Sequence, residues 1–256
     1  MVFRSLGSRH DDILQYRSHI PLKEELKDML IADAALTIAF TLITGRGGLP
    51  GKACAAASGA LSLLCSNSML YFLPISFIAV SLSFILHEYM HKRTAEHFGA
   101  IAAFRRSDTG ILITLLTSIF GFLIGLPGAT VIYTNTFTRR EEGIVSLAGP
   151  LTNFAVFGIF FAVILLIPLT GYAAVAITTT LYISLWLAFV NMLPVYPLDG
   201  SKVLKWNKPI YIATIGAIFL LLYAIMPSMQ LVYSMGIVII LALLFSYLYK
   251  GAIFRF

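Results

Sequence analysis

Long apolar stretches separated by short polar segments dominate this chain. A transmembrane helix needs about 20 mostly apolar residues, and the stretches that approach this length are 29–44, 66–90, 110–133, 143–168, 171–195, 209–226 and 229–249. The first stretch is short and contains Asp33, for which an interhelical hydrogen bond or a helix cap is the expected role. Pro74 predicts a kink or an irregular start in the second stretch, because proline removes a backbone donor.

The composition agrees with a chain whose solvent is largely lipid. Hydrophobic residues make up 59% of it and charged residues only 12%, whereas a soluble domain carries about 25% charged residues. This excludes a soluble enzyme, a disordered chain and a nucleic-acid-binding domain. The sequence predicts an all-α polytopic membrane protein with about six transmembrane helices. Cys54 and Cys65 lie in an apolar region and are expected to be small buried side chains.

The basic residues indicate how the segments are oriented. If residues 1–28 are cytoplasmic and 110–133 does not cross, every Lys and Arg except Arg46 and Lys52 lies in the cytoplasm. Segment 110–133 then enters and leaves on the same face. It contains the turn signal Gly125–Gly128 followed by the β-prone Ala129–Tyr133. We therefore expect a re-entrant loop or a β-hairpin element near 110–133.

The domain organisation expected from this pattern is simple. Residues 1–28 are charged, lack the apolar core of a signal peptide and form a basic cytoplasmic N-terminal arm. Residues 29–249 form a single transmembrane domain, and 250–256 form a cytoplasmic tail.

The chemistry is concentrated in the motif His87-Glu88-Tyr89-Met90-His91. In a helix with about 100° per residue, His87 and His91 lie about 40° apart on one face, one turn apart along the axis. Both imidazoles can then bind one ion at about 2.0–2.1 Å. Glu88 lies beside the metal, where it can take a proton from a metal-bound water. This H-E-x-x-H pattern is typical of zinc proteases.

A catalytic zinc usually has a third protein ligand, and two residues compete for that role. His97 has the spacing of the metzincin pattern, but Thr94 replaces the glycine that would turn the chain back to the metal. A continuing helix would carry His97 away from the ion. Asp199 follows an apolar helix that ends in prolines, and the topology places it on the same face as the histidine pair. Glu141 and Glu142 follow Arg139-Arg140 and have the character of a charged membrane interface.

Three motifs resemble the site-2 protease family of intramembrane zinc metalloproteases. His87-Glu88-x-x-His91 is similar to the family's first motif, and Asn191-x-x-Pro194-x-x-Pro197-Leu198-Asp199-Gly200 is similar to its second. The stretch Ala148–Asn153 is similar to the Ala-Gly-Pro sequence that opens the intervening helix. The resemblance covers about residues 66–208, the expected catalytic core.

This resemblance implies a function and a set of site residues. His87, His91 and Asp199 would bind one Zn²⁺ per chain, Glu88 would be the general base, and Asn191 would hold the substrate or stabilise the oxyanion. An interhelical hydrogen bond is the alternative role for Asn191. The implied activity is hydrolysis of peptide bonds within or near transmembrane helices, as in regulated intramembrane proteolysis. Substrates would be membrane proteins whose helices unwind locally, since a helical peptide bond is already hydrogen-bonded.

The implied location is the plasma membrane of a prokaryote, with the N-terminus and the active-site side in the cytoplasm. The oligomeric state stays open. Two alternatives remain: a membrane zinc protease whose third ligand is Glu141 or Glu142, and a metal transporter that is not an enzyme. Glu88 argues against transport, because transport needs no general base.

Overall fold

The computed structural model of the chain describes residues 2–4, 22–45, 68–121, 123, 127–134, 136–225, 235–237 and 239–240. Helices predominate in these residues, and three short strands form one small sheet. The expected fold class, an all-α polytopic membrane protein, is confirmed.

The elements follow one another in a simple order. The helices are α1 (Leu22–Gly45), α2 (Ser68–Val80), α3 (Leu86–His97), α4 (Asp108–Ile119), α5 (Arg139–Leu166), α6 (Gly171–Asn191), α7 (Asp199–Trp206) and α8 (Lys208–Ile225). A π-helical turn, Ser81–Ile85, joins α2 to α3. The strands are β1 (Val2–Arg4), β2 (Ile101–Arg106) and β3 (Gly128–Tyr133).

Four helical stretches of the described chain are long and apolar enough to cross a membrane: Tyr71–His97, Arg139–Leu166, Gly171–Asn191 and Lys208–Ile225. Helix α1 is also 24 residues long, but it begins at Leu22 rather than at the expected residue 29. The boundary expected at residue 28 therefore falls inside this helix. The expected segment 229–249 lies mostly outside the described residues, as do Cys54 and Cys65.

The surface of these helices is strongly apolar. Large hydrophobic side chains stay exposed along α2, α4, α5 and α8, among them Phe77, Leu116, Phe120, Ile159, Leu165, Leu166, Ile212 and Leu220. An apolar surface of this extent is unfavourable in water and is expected of a protein that contacts lipid. This is a membrane protein.

Helix α6 supplies much of the interior. Ile183, Leu185 and Ala188 on this helix are fully buried, and the adjoining Met192 is buried as well. The C-terminal end of α6 therefore lies inside the protein. The chain that leaves this end carries Asp199 into the core, where it is only 1% exposed.

The region expected to be re-entrant contains a helix and a strand. Its first part is α4, and its last part is β3, which includes the expected strand Ala129–Tyr133. The partner of β3 is β2, which pairs with it antiparallel, although β2 lies between the apolar stretches 66–90 and 110–133, where the sequence predicts no element. The Ser107 N–H donates to the Pro127 carbonyl (2.8 Å). The segment that contains α4 therefore leaves the sheet and returns to it at the same point. Gly125 and Leu126 of the expected turn lie outside the described residues.

The irregularity expected at Pro74 occurs further along the helix. Pro74 lies within the continuous helix α2, and the helix widens into a π-helical turn only at Ser81–Ile85. Such turns are frequent at functional sites, and this one ends two residues before His87. Asp33 of α1 accepts a hydrogen bond from the Ser81 hydroxyl (2.8 Å), which confirms the interhelical role expected for Asp33.

A buried acid joins α1, α3 and β2. Both carboxylate oxygens of Glu25 accept hydrogen bonds from Lys92 Nζ (2.8 and 2.7 Å), and one also accepts the Phe104 N–H (3.1 Å). Glu25 is only 6% exposed, and removing one partner of such a buried ion pair is strongly destabilising. Because Lys92 directly follows His91, this contact fixes the end of α3 against the sheet.

Candidate metal centre

Helix α3 presents the first three residues of the site. His87, Glu88 and His91 are all buried, and His91 is fully so. As the helical spacing predicts, the two imidazoles lie on one face, with ring centroids 4.6 Å apart. A ring nitrogen of each histidine and a carboxylate oxygen of Glu88 lie within 4.8 Å of one another. Among the described residues, this is the group of His, Cys, Asp and Glu that could hold a metal ion.

Asp199 lies at the same cluster but belongs to a different helix. It is the first residue of α7, and its Oδ2 lies 2.9 Å from His91 Nε2 and 3.4 Å from His87 Nε2. The close approach depends on Gly200, because a Cβ there would collide with the Met192 carbonyl. The chain between α6 and α7 is thus packed tightly enough to aim Asp199 at the histidines.

The three atoms fit a tetrahedral metal site. The Nε2 atoms of His87 and His91 are 3.0 Å apart, so the triangle they form with Asp199 Oδ2 has sides of 2.9–3.4 Å. Ligand atoms at about 2.0–2.1 Å from a tetrahedral zinc are separated by about 3.3 Å. Two imidazoles and a carboxylate are also a donor set that zinc accepts.

Helix α5 leaves room for an ion at this triangle. It passes the histidines at Gly149, where a Cβ would lie 2.5 Å from His87 Nε2 and would also collide with His91 Nε2. A methyl group would therefore fill the space in front of both ligand atoms. The glycine keeps this space open, which is the second observation that fits a bound metal.

The Nδ1 atoms of both imidazoles contact residues of α5. His91 Nδ1 lies 2.7 Å from the Val145 carbonyl. An Nδ1–H that donates there leaves Nε2 unprotonated and able to bind a metal. His87 Nδ1 lies 3.2 Å from Asn153 Nδ2, and Oδ1 of the same amide has no hydrogen-bond partner among the described residues. A 180° rotation of the amide exchanges these two atoms, so that Oδ1 accepts the Nδ1–H and Nε2 of His87 is available in the same way.

Glu88 is held by strand β3. Its Oε2 accepts hydrogen bonds from the Thr130 N–H (2.8 Å) and the Thr130 hydroxyl (2.7 Å). Thr130 is fully buried. The carboxylate is therefore fixed beside the metal site by the sheet, and it is a hydrogen-bond acceptor in its ionised form.

A buried lysine accompanies Asp199. Lys202, one turn further along α7, donates to the Pro197 carbonyl (2.7 Å) and lies 3.9 Å from Asp199 Oδ1. Burial lowers the pKa of Lys202, and the charge of Asp199 opposes that shift. Burial by itself would raise the pKa of Asp199, but the adjacent His91 and His87 hold that pKa well below its usual range. A lowered pKa favours the ionised carboxylate, which is the form that binds a metal.

Other residues singled out in the sequence make different contacts. His97 is the exposed last residue of α3, and its ring contacts Phe98. Asn191 donates from Nδ2 to the Leu187 carbonyl of its own helix (3.0 Å). Glu141 forms a capping box with Thr138 at the start of α5. The amide that contacts a histidine belongs instead to Asn153, to which the sequence analysis assigned no role.

The fold and the site together define a class: a polytopic helical membrane protein with a buried His-Glu-His cluster able to hold a metal. Over 145 residues the chain is 41% identical to "Putative zinc metalloprotease MJ0611" of Methanocaldococcus jannaschii. The match covers 56% of this chain and 75% of that protein. The chain belongs to the zinc metalloprotease family that includes this relative.

A second relative carries the same kind of name. The chain is 32% identical over 137 residues to "Putative zinc metalloprotease Rip2" of Mycobacterium tuberculosis. The match covers 48% of this chain and 53% of that protein, so the chain spans about half the length of this relative. No family model matches the chain, and no solved structure matches it.

Proposed function

We propose that this protein is an intramembrane zinc metalloprotease of the site-2 protease type that hydrolyses peptide bonds within or near transmembrane helices. The convergence of Asp199 with His87 and His91 supports this assignment most directly. These three residues would bind one Zn²⁺ per chain. The donor set, the triangle of ligand atoms and the open space at Gly149 all fit that ion.

The depth of the cluster supports proteolysis within the membrane. His87 lies ten residues from the end of the helical stretch Tyr71–His97, which is about 15 Å at 1.5 Å per residue. Charged side chains follow directly after His91, starting at Lys92. The site would therefore lie inside the apolar layer but near one surface, where water can reach it.

Each residue of the site would have a separate role in the proposed hydrolysis. The ion held by His87, His91 and Asp199 would supply a Lewis acid and lower the pKa of an attacking water. Glu88, held by Thr130, would take a proton from that water and deliver it to the nitrogen of the leaving amine. Val145 and Asn153 hold the imidazoles in the orientation that directs Nε2 inward.

The substrate would have to present an extended backbone. A peptide bond in a helix is internally hydrogen-bonded, so a transmembrane helix must unwind before its carbonyl can react. An extended segment can pair with a strand of the protein, and β3 is the strand that contacts Glu88. Membrane-spanning helices that unwind locally are therefore the proposed substrate class.

The third-ligand assignment has a direct test in two alanine variants. Asp199→Ala should lower bound zinc and activity at least tenfold, since it removes one ligand. His97→Ala on the exposed end of α3 should leave both unchanged. Zinc per chain is measured by mass spectrometry, and cleavage is measured by co-expression with doubly tagged single-span membrane proteins. Loss of zinc in His97→Ala and its retention in Asp199→Ala would overturn the assignment.

We also propose that the protein lies in the plasma membrane of a prokaryote, which the source of both relatives supports. The distribution of Lys and Arg supports an orientation in which the site faces the cytoplasm. Thr109 lies at the start of α4 and Thr136 lies shortly after β3, and both are exposed. Single cysteines at these positions, in a variant without Cys54 and Cys65, should both resist a membrane-impermeant thiol reagent in intact cells and react after lysis. Labelling of only one position from outside would mean that the chain crosses the membrane between these two positions.

A further inference from the structure

The strand that holds Glu88 has neighbours on both of its edges. In the sheet order β1-β3-β2, β3 is the central strand. Strand β2 pairs with it antiparallel, with Phe104 opposite Thr130. Strand β1 pairs with it parallel on the other edge, with Val2 opposite Val131 and Arg4 opposite Tyr133.

The edge of β3 that faces Glu88 is the edge taken by β1. The Phe104 N–H points away from β3, because it donates to Glu25. In an antiparallel pair, the opposite residue then also directs its backbone groups away from the partner strand. The Thr130 N–H accordingly points away from β2 and reaches Glu88. Glu88 and β1 thus lie along the same edge of β3.

The register brings β1 next to the proposed general base. Thr130 directly precedes Val131, the partner of Val2. Because Thr130 directs its backbone groups to this edge, the end of β1 at Val2 lies directly beside the contact between Thr130 and Glu88.

We propose that residues 2–4 occupy the position on the β3 edge that an extended substrate segment takes, so that the chain restrains its own active site. This inference rests on the proposed function, because it concerns which backbone lies beside Glu88. The paired stretch is three residues long, and a pairing this short is weak enough to be displaced by a competing strand. An unwound substrate helix would replace β1, and residues 2–4 would act as a tethered competitor.

The first arm of the test measures binding without hydrolysis. A fluorescent peptide with the sequence of residues 1–8 is titrated against the purified full chain and against a variant that lacks residues 2–4, by anisotropy in detergent. The deletion variant should bind the peptide at least tenfold more tightly, because its β3 edge is free. Arg4→Pro should also increase binding, since it removes the N–H that faces β3 in this register, whereas the matched control Arg4→Ala keeps the backbone pairing and should bind as the full chain does.

The second arm measures cleavage of a single-span reporter. The deletion variant should show a KM several-fold lower than that of the full chain with kcat little changed, and the added peptide should raise the KM again. Equal peptide affinity of the full chain and the deletion variant would overturn the inference, as would a KM that the deletion leaves unchanged.

The two arms distinguish failure of the inference from failure of the proposed function. Binding of the peptide by the deletion variant alone, without cleavage by any variant, would retain β1 as an occupant of the edge and reject the protease assignment. Cleavage with no effect of the deletion on peptide binding or KM would retain the protease and reject β1 as its competitor.

Discussion

Replacement of Gly149 by alanine is expected to abolish zinc binding and leave the fold intact. The new methyl would lie 2.5 Å from His87 Nε2 and would also collide with His91 Nε2. The atoms it meets are the far ends of two side chains, so the imidazoles can turn aside without unfolding of the helices. A turned imidazole no longer directs Nε2 at the metal, and the triangle with Asp199 is lost.

The measurement is zinc per chain after purification, together with a thermal unfolding curve. Zinc content should fall at least tenfold and proteolysis should be lost, while the unfolding temperature of the metal-free protein changes little. Gly158→Ala on the same helix is the matched control, because a Cβ there meets nothing within 4 Å. Normal zinc content in Gly149→Ala would mean that the Nε2 atoms of the histidines do not bind the ion.

The histidine pair could be predicted from the sequence because its geometry is local. Residues four apart on a helix share a face whatever surrounds them, and the structure places His87 and His91 on one face. The continuation of α3 past Thr94 was predictable for the same local reason. A glycine at this position would let the chain leave the helix, whereas threonine does not, and the helix continues to His97. The approach of Asp199 depends on the fold, and it was expected only from topology and resemblance.

The contacts that orient the site were harder to predict, because they depend on how α5 is rotated. Val145, Gly149 and Asn153 recur every four residues and form one face of this helix. That spacing was visible in the sequence, but nothing local shows that this face meets α3. Asn191 has the more recognisable motif, yet its amide bonds to its own helix and Asn153 lies against His87.

The sheet was the part least accessible to sequence reasoning. Strand β2 has six residues and ends in Arg105-Arg106, so in the sequence it forms part of a polar interval between two apolar stretches. Its pairing with β3 brings together residues separated by α4, and the outer edge is fixed by Glu25 from a distant helix. Such non-local contacts leave little periodic signal in a short strand. The contact between Thr130 and Glu88 could not be predicted for that reason.

Replacement of Glu88 by glutamine is expected to abolish peptide hydrolysis with zinc retained. Glutamine keeps the shape of the side chain and can still accept the Thr130 N–H, but it cannot take a proton from the attacking water. Loss of a general base lowers the rate by roughly 10²–10⁴-fold, which cleavage of a single-span reporter will measure. Glu96→Gln is the matched control on the same helix, since within the described part of the chain Glu96 pairs with Arg93 near the surface. Near-normal cleavage by Glu88→Gln would refute the general-base role, and loss of zinc would show that Glu88 is itself a ligand.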